Sequence, residues 1–196
     1  MYKKTTLSIK VIGFLLVLLT QTLKAQIANQ TPVVSPTAIC GTGTATVTIP
    51  SSEVGVTYAL TDGVSLIGTP VSGTGNSISF PTGTLTVTTT FIVGATNGTS
   101  TVTMNPPVTV TVNPLPNVSI SASHTAICKG AVDTLTASGA VNYTWAPGGA
   151  TTTTETVAPT STTTATNYTL TGTDANGCTN TSTISITVNP VPTLSI

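Results

Sequence analysis

The chain has 196 residues and 19.6 kDa, room for one large domain or two small ones. It carries five Lys, five acids and no Arg, and four of the lysines fall in the first 25 residues, leaving one Lys against five acids, a formal charge of −4, over the rest. That argues against nucleic-acid binding, which displaces counterions with several cations, and a single His with five scattered acids leaves few tools for acid–base or metal chemistry.

Residues 1–25 follow the layout of a signal peptide. Lys3, Lys4 and Lys10 precede the short apolar run Val11–Leu19, and Leu23-Lys24-Ala25 places a small residue at the expected cut before Gln26. The run supplies about half of the roughly 20 apolar residues that a spanning helix needs. The mature chain is therefore expected to be secreted or displayed at the cell surface, with no membrane span. Beyond it, Thr37-Ala38-Ile39-Cys40 recurs as Thr125-Ala126-Ile127-Cys128, and Thr111-Val112-Asn113-Pro114-Leu115-Pro116 recurs as Thr187-Val188-Asn189-Pro190-Val191-Pro192. Marks at both ends of each copy are the signature of an array. They define a first unit at 33–113, a Pro-rich linker at 114–116, a second unit at 117–189, and the start of a truncated third repeat at 190–196.

Within the first unit, Ala45/Val47/Ile49, Val56/Tyr58/Leu60, Ile78/Phe80, Leu85/Val87, Phe91/Val93 and Val108/Val110/Val112 alternate with Thr, Ser and other mostly small or polar residues. The second unit does the same with Val118/Ile120, Val141/Tyr143/Trp145, Tyr168/Leu170 and Ile184/Ile186/Val188. Alternation with period two predicts strands buried on one face. The 48 threonines suit the pleat, because their branched side chains pack on it. Turn signals at Asp62-Gly63, Asn97-Gly98, Pro147-Gly148-Gly149 and Asn176-Gly177 separate the runs, and short strands at this spacing predict sandwiches. A disordered Thr-rich stalk fits Thr151–Thr154 and Thr162–Thr164 only locally. The linker prolines predict an extended, stiff spacer.

For the second unit the pattern predicts six strands, at 117–122, 132–138, 141–146, 152–158, 166–173 and 179–188. Simple up-and-down alternation then brings Cys128 and Cys178 to the same end as a disulfide, whereas one additional strand between them would separate the pair. Cys40 has no partner within its unit, because Thr99 occupies the position aligned with Cys178. It is expected to be unpaired within the chain.

The run Thr-Ala-Ile-Cys-Lys-Gly before a strand ending Leu-Thr-Ala-Ser-Gly (125–139), followed by Tyr-Thr-Trp (143–145), Tyr-Thr-Leu-Thr-Gly-Thr-Asp-Ala-Asn-Gly-Cys (168–178) and Ile-Thr-Val-Asn-Pro (186–190), resembles the PKD-like and immunoglobulin-like repeats of large Bacteroidetes-type surface proteins. The resemblance covers the second unit throughout and the first only at its ends. It implies an all-β fold: two tandem immunoglobulin-like (PKD-like) β-sandwich domains after the signal peptide. It also implies an adhesin-like setting and adds weight to a Cys128–Cys178 bridge. The partners it implies are further repeats of the same protein, surface glycans or other cell-surface proteins.

The chemistry-bearing residues read as structural. Tyr58, Tyr143, Trp145 and Tyr168 fall on the apolar phase as core aromatics, and Tyr168 is placed to anchor a corner through its hydroxyl. Ser123, His124 and Asp133 lack the oxyanion hole that a triad requires. Asp174 and Asn176 make at most a thin calcium site against the six to eight oxygens calcium takes. Asp133 and Glu155 share parity with buried positions and are read as inward charges, near strand ends or on edge strands, that discourage edge pairing. The expected function is therefore non-enzymatic and free of cofactor or metal: a stiff spacer or adhesive segment of an exported bacterial surface protein. The alternative, a carbohydrate-binding accessory module of a secreted polysaccharide-degrading enzyme, requires Trp145 to be exposed as an aromatic platform.

Overall fold

The computed structural model describes residues 26–192, so the expected signal peptide and residues 193–196 lie outside it. Every regular element among the described residues is a strand, and no helix among them is long and apolar enough to cross a membrane.

The first set of strands is β1 (Val33–Ser35), β2 (Ala38–Cys40), β3 (Gly43–Ile49), β4 (Thr57–Thr61), β5 (Leu66–Ser72), β6 (Ile78–Leu85), β7 (Thr89–Thr96), β8 (Thr101–Thr103) and β9 (Val108–Asn113). They form a sheet of order β1-β3-β6 and a second of order β2-β9-β7-β4-β5, with β8 also on β7. Val47, Ile49, Tyr58, Leu60, Phe91, Val93 and Val110 fill the space between the two sheets. The chain joins this core before β1: Ile27 is buried in it, and the Ala28 N–H donates to Glu53 Oε1 (2.7 Å). A bulge interrupts β3 between Thr44 and Thr46. The buried Thr82 hydroxyl repairs it by accepting from the Ala45 N–H and donating to the Ala45 carbonyl, both at 3.0 Å.

The second set is β10 (Ser119–Ala122), β11 (Ala126–Cys128), β12 (Asp133–Ser138), β13 (Asn142–Ala146), β14 (Thr154–Val157), β15 (Thr166–Thr173) and β16 (Thr179–Asn189). Its sheets are β10-β12-β14 and β11-β16-β15-β13, around Leu135, Trp145, Leu170 and Ile186. No strand of one set pairs with a strand of the other, and the two apolar cores are separate.

Alternation explains why these sequences fold this way. In β12 the pattern is buried at Asp133, Leu135 and Ala137 and exposed at the threonines and serine between. On the solvent faces the hydroxyls pair across strands, as in Thr90–Thr109 (2.8 Å) and Ser119–Ser138 (2.7 Å). Such pairs add to sheet stability where a charge would otherwise be expected.

The strand count differs from the expectation in two places. The first strand of each set is split: β1 and β10 pair in one sheet, then the chain crosses and continues as β2 and β11, parallel to β9 and β16. The second set also has an additional return between β13 and β14. The Trp145 N–H donates to the Ala150 carbonyl and Trp145 Nε1 to the Thr152 carbonyl (2.8 and 2.9 Å), laying residues 150–152 back along β13. That return makes β12 and β14 antiparallel, and likewise β13 and β15. It also sends the last hairpin to the opposite end of the sandwich.

Candidate functional site

A covalent bridge and its supporting contacts lie where the two sandwiches meet. Cys40 closes β2, and the parallel pairing of β2 with β9 sets it against Asn113, the last residue of β9. The Gly41 N–H donates to the Asn113 carbonyl (2.7 Å), so Cys40 is locked beside the point where the chain leaves the first sandwich. Cys178 lies in the turn between β15 and β16, at the end where the chain comes into the second. The two cysteines are joined in a disulfide, with Cα atoms 5.5 Å apart and a sequence separation of 138.

This corrects the expected cysteine assignment. Cys178 bonds to Cys40 of the preceding sandwich and not to Cys128, and Cys40 is not unpaired. Cys128 is free and exposed. Cys128 faces Asn189 at the far end of β16, whereas Cys178 precedes its first residue. Eleven residues of strand separate those ends by about 37 Å at ~3.4 Å per residue, far beyond the ~4.4–6.8 Å between bridged Cα atoms.

Noncovalent contacts complete the joint. Asn180 Nδ2 donates to the Pro116 carbonyl (3.0 Å), and Pro116 is buried. Leu115 lies over Gly41, where an added Cβ would come 3.2 Å from Leu115 Cγ. Val118 enters the second core across β15 at Gly172, where a Cβ would stand 2.5 Å from Val118 Cγ2. Gly139, at φ +92, admits the Asn117 carbonyl in the same way. These two glycines let the incoming chain lie flat on the end of the sandwich.

The acids serve the backbone. Asp174 Oδ1 accepts the N–H groups of Asn176 (2.8 Å) and Cys178 (2.9 Å), which shapes the turn that presents Cys178. Asp62 does the same for Val64 and Ser65, and those N–H groups, Ser65 foremost, hold its carboxyl below the ordinary carboxylate value. Asp133 is 3% exposed, and its Oδ1 accepts the His124 N–H (3.0 Å) and contacts His124 Nδ1 (3.2 Å). It therefore anchors the loop in which the first strand changes sheets, and it stands on β12, the middle strand of its sheet. Of the two positions expected for such an inward charge, an edge strand or a strand end, Asp133 takes the second, as the first residue of β12. Asp133 Oδ2 is buried without a hydrogen-bond partner. The His124 side chain is 71% exposed. With Glu53 on Ala28, four of the five acids accept backbone N–H groups. Among the described residues, no three His, Cys, Asp or Glu side chains converge on one point.

The aromatics lie in the cores. Trp145 is 1% exposed and its indole N–H is used within the sandwich, so it presents no aromatic platform. Tyr58, Tyr143 and Tyr168 are buried as well. The corner expected of Tyr168 is made by Tyr143: its hydroxyl donates to the Ala140 carbonyl (2.8 Å) and accepts the Ala140 N–H (3.1 Å). Tyr58 takes the equivalent place in the first sandwich, accepting the Glu53 N–H (2.9 Å). Burial, and then the nearby Glu155 charge, raise the Tyr168 phenol above its ordinary value. A depression of 260 Å³ at Ile92, Thr103, Met104, Asn105 and Pro107 falls short of the roughly 300–1,000 Å³ of small-molecule sites.

No protein-family model and no curated protein matches the chain. Solved structures do. The D1–D4 ectodomain fragment of ICAM-5 is 14% identical, with 85% of this chain and 48% of that one covered at a TM-score of 0.51. The mouse nectin-like molecule 4 ectodomain (Ig1–Ig3) is 13% identical over 87% and 67%, with a TM-score of 0.35. Three N-terminal domains of the bacteriophage RB49 highly immunogenic outer capsid protein are 12% identical over 82% and 59%, with a TM-score of 0.39. The chain thus spans about half the length of the ICAM-5 fragment. What the ICAM-5 likeness establishes is the fold, all-β and immunoglobulin-like.

Proposed function

We propose that this chain is a non-enzymatic spacer or adhesion segment of an exported bacterial surface protein, built to hold successive immunoglobulin-like units in a fixed line. The observation that carries the reading is the disulfide across the joint. A bridge inside one sandwich would stabilise that sandwich; Cys40–Cys178 instead ties the outgoing end of one to the incoming end of the next. Together with Asn180 on Pro116 and a linker of prolines, it removes the freedom to bend. A structural disulfide also fits an oxidising compartment, in keeping with the signal-like residues 1–25. The resemblance of the second unit to PKD-like repeats of Bacteroidetes-type surface proteins points the same way, with further repeats, surface glycans or other surface proteins as partners.

Small-angle X-ray scattering tests this. Two 80-residue bodies of ~12 Å radius of gyration, centred about one strand length (~37 Å) apart, give about 22 Å. A compact body of the same total length gives ~15 Å. The oxidised chain should give the larger value with a single narrow distance distribution, and Cys40→Ser/Cys178→Ser should broaden it. A value near 15 Å, or identical curves for the two proteins, would sink the spacer reading.

A further inference from the structure

We infer that Cys128 is the donor half of a second inter-unit staple, bonding to a cysteine in the last turn of an immunoglobulin-like unit that follows through Asn189-Pro190-Val191-Pro192. The inference rests on the spacer reading and extends it to a partner of stated chemistry.

The warrant is that Cys40 and Cys128 occupy the same place twice. Ala38-Ile39-Cys40 pairs in parallel with Thr111-Val112-Asn113, and Ala126-Ile127-Cys128 with Thr187-Val188-Asn189. The flanking hydrogen bonds repeat as well. The Thr111 N–H donates to the Thr37 carbonyl and the Thr187 N–H to the Thr125 carbonyl, both at 2.9 Å. The Gly41 N–H reaches the Asn113 carbonyl at 2.7 Å, and the Lys129 N–H the Asn189 carbonyl at 3.0 Å. Each cysteine is exposed while the isoleucine before it turns inward. Each stands beside an Asn-Pro-x-Pro exit. The first of these sites is occupied in this molecule, and its occupant is the β15–β16 turn of the next sandwich. The second presents the same strand pairing, a thiol in the same place and an Asn-Pro-x-Pro exit, and differs in Lys129, which is not at positive φ where Gly41 stands at φ +65. A partner must therefore offer what Cys178 offers: a cysteine in the turn before its last strand, beside the point where its own chain comes in.

The chemistry requires a disulfide oxidant. The Cys128 thiolate attacks one sulfur of an external disulfide, forming a mixed disulfide and expelling a thiolate. The partner thiolate then attacks the Cys128 sulfur and expels the second thiolate. The two protein thiols release two protons, and the two electrons leave on the reduced oxidant.

The test extends the chain beyond Pro192 with a second copy of residues 117–189, so that the copy's counterpart of Cys178 follows Cys128 as Cys178 follows Cys40. After oxidation with glutathione disulfide, peptide mapping under non-reducing conditions should show two bridges, Cys40–Cys178 and Cys128 to the appended cysteine. Maleimide labelling of Cys128 should fall to background, and Cys178→Ser in the appended copy should restore it to the rate of the present chain. If Cys40–Cys178 forms while Cys128 stays reactive or bonds to Cys128 of another molecule, the inference fails and the spacer reading stands. If Cys40–Cys178 does not form either, the stapled joint itself is wrong and both fall.

Discussion

Replacing Cys40 and Cys178 by Ser tests the stapled joint most directly, and its effect can be worked out unit by unit. Suppose the second sandwich unfolds while the first stays folded. Cys40 remains fixed beside Asn113, so the bridge closes an unfolded loop of about 65 residues from Asn113 to Cys178. The chain-entropy relation assigns such a loop about 4 kcal/mol. Suppose instead that the first unfolds alone. Cys178 remains fixed beside Pro116, the loop from Cys40 is about 75 residues, and the value is again about 4 kcal/mol. A staple between sandwiches therefore stabilises both, and nearly equally. For domains of this size that corresponds to roughly 15–30 °C in each melting temperature. Differential scanning calorimetry on a Cys128→Ser background, which prevents exchange, reads both transitions. Leu170→Ala identifies the second. A shift confined to the second transition is the signature of a bridge inside that sandwich and would refute the argument.

Trp145→Ala should cost about 3–5 kcal/mol in the second transition alone, as expected for a large aromatic emptied from a core, and its native fluorescence should resist an aqueous quencher. Tyr143→Phe strips partners from both the N–H and the carbonyl of Ala140 and should cost about 1–3 kcal/mol. Tyr58→Phe frees only the Glu53 N–H and should cost about 1 kcal/mol; chemical denaturation of each variant compares them. Asp62 has a lowered folded pKa, so its contribution is complete above the ordinary carboxylate value and is lost as pH falls through the lowered one. The melting difference between the parent and Asp62→Ala should therefore close on acidification. Tyr168 runs the other way: its raised pKa lends stability below the ordinary phenol value that disappears as pH rises through the folded one. Tyr168→Phe should flatten the alkaline limb of the stability curve.

Strand positions were legible because one buried face writes itself as period two, and Val47, Tyr58, Trp145 and Leu170 lie inward as that period requires, whereas Val87 and Val141, on the same phase, fall just outside β6 and β13 and are exposed. The Asx-type turns at Asp62 and Asp174 were legible from the Gly that follows each within three residues. Cysteine pairing was not, because it depends on the parity of chain reversals. The return at 150–152 sits in Thr-rich sequence with no alternation of its own, and its hydrogen bonds come from Trp145. The split of the first strand was hidden for a similar reason: β2 and β11 are three residues each, too short for a period. One clue was present. Cys40 and Cys128 are repeat equivalents, so a pairing inside each sandwich required a cysteine where Thr99 stands, and a pairing between sandwiches did not.

Parity also connects the fold to the proposed spacer. Counting each split strand once and the 150–152 return as a pass, each sandwich makes seven passes, as β3, β4, β5, β6 and β7 do between the split first and last strands of the first one. An odd number brings the chain in at one end and out at the other. The parallel pairings β2–β9 and β11–β16 then place the end of the first strand beside the exit, and the last turn lies beside the way in. A cysteine at the former and one at the latter of the next unit are therefore brought to the same joint, as Cys40 and Cys178 are here. Six passes would put both cysteines at one end of the same sandwich, where a bridge stabilises a domain and leaves the joint free to bend. The additional pass along Trp145 is what turns a clip within a unit into a clip between units.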